Sequence, residues 1–152
     1  MAFAKPSLKG RALRLLSRRE HSRAELERKL GAFEEEPGTL AKALDELQSK
    51  GFISESRVLA SVLHRRAGKL GMTRIRQELQ DKGLEPQLIM QAMSELRASE
   101  FERAHEVWRK KFGQARDDPQ DLARQARFLI SRGFAAEMVR RVLKAADRDD
   151  PE

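Results

Sequence analysis

Six side chains that can hold an anion fall within one short stretch: Arg57, Arg65, Arg66, Lys69, Arg74 and Arg76, with no Asp or Glu between the first and the last. Lys82 follows beyond Glu78 and Asp81. Arginine dominates, and its planar fork matches phosphate or carboxylate through paired N–H donors. The chemistry on offer is salt-sensitive binding of an acidic partner; the plain alternative is a generic solvated basic face. Catalytic patterns are missing. His21, His64 and His105 are scattered and fit no metal-ligand spacing such as H-E-x-x-H. Gly68-Lys69-Leu70-Gly71 carries two glycines but follows no strand pattern, so it fails as a phosphate-cradling loop. The reading is of a protein that binds, with no cofactor, no metal and no enzyme activity expected.

Composition narrows the partner. The chain has 152 residues, 36% of them charged, a net charge of +7 and a sequence pI near 10.1. That basic balance points to an acidic partner, nucleic acid first. There are no cysteines, which removes disulfides and thiolate metal sites and fits a reducing, cytoplasmic setting. No run is apolar enough to span a membrane, and no secretory signal pattern opens the chain. Only 39% of residues are hydrophobic, with seven Phe and one Trp as the aromatics. Several small cores in a row suit this supply better than one large core. Trp108, with Ala104 and Phe112 at helical spacing, reads as core rather than as a stacking platform.

The elements that position the basic run are helices throughout. Ser22 and Glu25 form a capping box at the head of a helix striped by Leu26 and Leu30. A helix from about Thr39 to Lys50 ends at Gly51, with Phe52 expected to fold back onto it. Ser54 starts a helix carrying Val58, Leu59, Val62 and Leu63. Gly71–Leu84 follows, with Thr73 expected as N-cap, Ile75 and Leu79 on one face, Gly83 as the left-handed stop, and Arg74, Arg76 and Lys82 outward. Pro86 suits the first turn of the next helix, reaching about Leu96. Further helices are expected over about 99–112, 119–132 and 135–146.

The helices repeat. Leu79-Gln80-Asp81-Lys82-Gly83-Leu84 matches Leu129-Ile130-Ser131-Arg132-Gly133-Phe134, 50 residues apart, and Met93 and Leu143 each lie fourteen residues after their anchor leucine. Leu26 and Lys29 align over Leu79 and Lys82. The fold expected is all-α, an elongated array of three tandem three-helix repeats. The boundaries are 1–53 (with a frayed start), 54–97 and 98–146, followed by an acidic, disordered tail over 147–152. The middle repeat concentrates the charge, with 8 basic against 4 acidic side chains over 56–97.

Ser54-Glu55-Ser56-Arg57, then Arg66, then G-M-T-R-I-R-Q-E-L-Q-D-K-G-L over Gly71–Leu84, resemble the RecX family, regulators of the bacterial RecA recombinase. The R-I-x-x-E-L-x-x-K-G core from Arg74 to Gly83 is the most specific piece. R-R-E-H-S-R-A-E-L-x-x-K-L (Arg18–Leu30) resembles the family's first unit and F-L-I-S-R-G-F (Phe128–Phe134) its third. Leu70-Gly71-Met72 stands where family members often carry Gly-aromatic-Gly-Pro. The resemblance implies tandem three-helix repeats and a cytoplasmic, monomeric, non-enzymatic modulator of homologous recombination and the SOS response. Such a protein binds RecA and the RecA–DNA filament and mostly inhibits ATP hydrolysis and strand exchange. Arg57, Arg65, Arg66, Lys69, Arg74, Arg76 and Lys82 become the candidate RecA- and DNA-contacting residues, with DNA reached through the basic face and no membrane involved. The rival is a stand-alone DNA-binding protein whose second helix enters a groove; against it, the chain lacks the Asn and Gln pairs favoured for reading adenine.

Overall fold

Local signals start most helices. Ser7 accepts from the Gly10 amide to open α1 (Leu8–Leu16). Ser22 and Glu25 close a reciprocal capping box on α2 (Arg23–Leu30): the Glu25 amide donates to Ser22 Oγ, and the Ser22 amide to Glu25 Oε1. A single 3-10 turn, Gly31–Phe33, leads to α3 (Thr39–Ser49). Then come α4 (Glu55–Arg66), α5 (Met72–Asp81), α6 (Pro86–Lys111), α7 (Pro119–Ser131) and α8 (Ala136–Arg148). This is a computed structural model; it describes residues 5–114 and 118–148, without the side chains of 147 and 148. All regular structure among the described residues is helical. Of the start expected as frayed and the tail expected as disordered, residues 1–4 and 149–152 lie outside the described residues, and so do 115–117 of the loop before α7.

The chain gathers into two compact units. The first takes the residues up to Ser61 together with Asp81–Glu85; the second takes Val62–Gln80 and everything from Pro86 on. In the first, α1, α2 and α3 enclose Ala12, Leu26, Leu30, Leu40, Leu44, Leu47 and Ile53. Leu26, Leu44 and Leu47 are fully buried, each contributing about 2–3 kcal/mol by leaving water. In the second, α6, α7 and α8 enclose Ala104, Trp108, Leu129, Phe134, Val139, Val142 and Ala146. Trp108 is core, and its Nε1–H donates to Gln125 Oε1 at 2.8 Å, so two buried polar groups satisfy each other.

Three expectations about elements change. The helices expected over 86–96 and 99–112 are one helix, α6. Arg97-Ala98-Ser99-Glu100 holds no Gly or Pro, and Ser99 Oγ bonds back to the Leu96 carbonyl inside the helix rather than capping a new one. At the end of α3 the Phe52 amide does return to Leu47 O, with Gly51 left-handed. The side chain that tucks in, however, is Ile53, while Phe52 stays half exposed. Thr73 does not cap α5: it lies inside the helix, where the Ile75 amide already bonds to Gly71 O, and the amides left at the helix start, from Gly71 to Thr73, are met by groups far along the chain.

Candidate functional site

The head of α5 is built from α7 and α6. Gly71 N–H donates to Arg132 O at 2.8 Å and Thr73 N–H to Gly133 O at 3.2 Å. Between them, Met72 N–H points at the carboxylate of buried Glu100, 3.4 Å away. Three amides that a helix start leaves unpaired are thus met by two carbonyls and an acid, and the acid also suits the positive end of the α5 dipole. The approach is close enough to require glycine. A Cβ on Gly71 would lie 2.4 Å from the Gly133 carbonyl group and from the Phe134 nitrogen. Gly133 itself is left-handed, and a Cβ there would meet Arg74 at 2.6 Å. The first unit contains a junction of the same kind. Ser22 Oγ donates to Lys82 O, Arg28 Nη2 donates to Asp81 O, and Gly83, left-handed, faces Ala24.

The turn before α5 is held by a residue that sequence reasoning missed. Arg103 Nη1 donates to Ala67 O and to Leu70 O, both at 2.9 Å, while Nη2 reaches Leu96 O and Nε reaches Ser99 Oγ. Burial pushes the Arg103 guanidinium below its ordinary pKa, and Glu100 works in the opposite direction. One side chain on α6 therefore fixes the carbonyls on both sides of Gly68-Lys69, and so the place from which Lys69 projects. Nothing at position 103 in the sequence marks this role; it depends on α6 remaining helical through Ser99.

Against that frame the seven candidate cations separate by what they already hold. Arg57 donates Nε to Glu20 Oε1 at 2.9 Å and Nη2 to Gly51 O, inside the first unit. Lys82, expected outward, is half-buried with Nζ 3.1 Å from Glu25 Oε1. Glu25 also takes Arg19 Nη2 at 2.8 Å. Burial would raise the Glu25 pKa; the Arg19 hydrogen bond, the Ser22 amide and Lys82 outweigh it and bring the carboxyl down to about 2. Beside it, burial keeps the His21 pKa below its usual value. In the second unit Arg66 leans toward Glu78, with Nε 3.4 Å from Oε2 yet without a formed hydrogen bond on Nε. Arg74 is exposed but anchored, with Nη1 on Ser131 O at 3.2 Å.

Three remain. Arg65 at the end of α4, Lys69 on the turn and Arg76 on α5 are exposed and make no ion pair or side-chain hydrogen bond among the described residues. All three belong to the second unit. The structure therefore divides the basic run into cations that hold the fold together (Arg57, Lys82), cations that are partly engaged (Arg66, Arg74) and cations free to meet an anion. Among the described residues there is no group of His, Cys, Asp and Glu that could hold a metal ion. No helix among them is long and apolar enough to cross a membrane.

Known proteins resemble this chain closely. Models of the RecX family match it twice, its first three-helix domain over residues 9–47 and its third three-helix domain over residues 98–143. The regulatory protein RecX of Leptothrix cholodnii is 52% identical, across 98% of this chain and 96% of its own. That of Herminiimonas arsenicoxydans is 40% identical across 99% of each. The crystal structure of RecX from Lactobacillus salivarius covers 93% of this chain and 95% of its own with a TM-score of 0.74; at 16% identity it speaks for the shared fold.

Proposed function

Because the chain belongs to the RecX family of regulatory proteins, we propose that it binds RecA and the RecA–DNA filament and restrains ATP hydrolysis and strand exchange. In this reading it is a non-enzymatic cytoplasmic regulator of recombination and the SOS response that acts as a monomer. The observation that carries the site is the separation of the cations. Among the described residues Arg65, Lys69 and Arg76 hold no partner; Lys69 lies on the turn fixed by Arg103, and Arg76 on the helix headed by the Gly71–Gly133 junction. With no internal partner to give up, they can meet a carboxylate or phosphate without first breaking a bond. Arg66 and Arg74 flank them as weaker contacts. Arg57 and Lys82 are engaged within the first unit.

Binding to RecA filaments on single-stranded DNA, followed as salt is raised, tests this. Affinity is expected to fall steeply with salt. Reversing Arg65, Lys69 and Arg76 together to Glu should weaken it ten-fold or more, with little change in the unfolding midpoint because exposed side chains carry little stability. If the triple variant binds filaments like its parent, the strip has been misplaced. If random duplex without RecA is bound as tightly as the filament, and with sequence preference, the stand-alone DNA-binding reading takes over.

A further inference from the structure

A second basic hollow lies in the first unit, away from the 57–76 run. It has a volume near 220 Å³ and is lined by Arg11, Arg14, Arg18 and Lys29 around an apolar floor of Leu15 and Leu30, with Phe33 at its rim. Its lining contains no acidic side chain. Phe33 is 46% exposed, which core packing does not explain, and the Arg11 guanidinium sits 3.9 Å over its ring. Arg14 and Arg18 are exposed with no side-chain partner among the described residues, and Lys29 Nζ meets only His21 Nε2 at 3.4 Å. The α1–α3 core closes without Phe33.

We propose that this hollow is a second nucleic-acid contact, taking one base of a single strand against the Phe33–Arg11 stack with its phosphates on Arg14, Arg18 and Lys29. Charge complementarity selects an anion. The flat aromatic–guanidinium pair beside a hollow about seven water volumes in size selects a planar ring among anions. Glu35 and Glu36 line the neighbouring hollow beyond Phe33, so phosphates are steered to the Arg14–Arg18 side. An acidic peptide would satisfy the cations but has no need of the stack.

The test uses the full chain carrying the Arg65, Lys69 and Arg76 to Glu reversals, so that the other basic run is silent. Labelled oligo(dT) and an abasic oligonucleotide of equal length are titrated by anisotropy without RecA. Oligo(dT) is expected to bind more tightly than the abasic strand. Phe33→Ala should remove that difference, weakening oligo(dT) by roughly five- to a hundred-fold, while Phe33→Trp retains it. Arg14→Glu with Arg18→Glu should weaken both strands and lower the salt slope by about two. Far-UV circular dichroism verifies that each variant is folded, because Trp108 belongs to the other unit. No binding of oligo(dT), equal binding of the abasic strand, indifference to Phe33→Ala, or equal competition by polyglutamate at matched charge would each overturn the proposal.

Discussion

Gly71→Ala lowers stability by about 3 kcal/mol, a large part of the 5–15 kcal/mol that keeps a domain folded. Gly71 has an ordinary negative φ, so the cost is purely one of space: the new methyl would stand 2.4 Å from the backbone at Gly133 and Phe134, where no side-chain rotamer can yield. To accept it, the head of α5 must withdraw from the end of α7. That breaks the bond from Gly71 N–H to Arg132 O and strains its neighbour from Thr73 to Gly133 O. Gly68→Ala is the control, because a Cβ there meets nothing within 4 Å. Urea unfolding followed by Trp108, buried in the same unit, separates the two. Equal unfolding midpoints for the two variants would show that the Gly71–Gly133 contact does not constrain the fold.

Glu25→Gln costs a similar amount in the first unit, about 2–3 kcal/mol at neutral pH. The carboxylate is buried, accepts from Arg19, Lys82 and the Ser22 amide, and titrates near 2 rather than at its usual 4.5. A group whose folded pKa is depressed favours the fold when ionised. Its contribution, of order 3 kcal/mol, is complete above about pH 4.5 and disappears as pH falls through 2. The gap between parent and Glu25→Gln should therefore be widest at pH 7, narrow below pH 4.5 and nearly close at pH 2, as read by unfolding followed by far-UV circular dichroism. His21 acts in the same direction at higher pH: burial keeps it neutral, so charging it as pH falls below about 6.5 weakens the fold. That component should persist in Glu25→Gln. A gap independent of pH would mean that the Glu25 charge does not hold this cluster.

What the sequence revealed depended on range. The Ser22–Glu25 box and the left-handed stops at Gly51, Gly83 and Gly133 are local, and each was legible from a few neighbouring residues. The start of α5 was legible as a glycine but not as a contact, because its partners Arg132 and Gly133 lie some sixty residues away and glycine–glycine contact leaves no hydrophobic pattern. For the same reason Lys82 read as an outward cation: Glu25, which binds it, is 57 positions back. The candidate strip was legible as composition, an acid-free run of Arg and Lys. Which members were free was not, since that depends on Glu20, Glu78 and Ser131 arriving from other helices. Phe33 carries no signal in sequence, because an exposed aromatic at a helix end looks there like any core residue.

Restraint of RecA by this protein is read most directly from RecA ATP hydrolysis on single-stranded DNA, with the protein added before or after the filament assembles. Hydrolysis is expected to slow in both orders and to recover when Arg65, Lys69 and Arg76 are reversed to Glu. Hydrolysis unchanged in either order would contradict it.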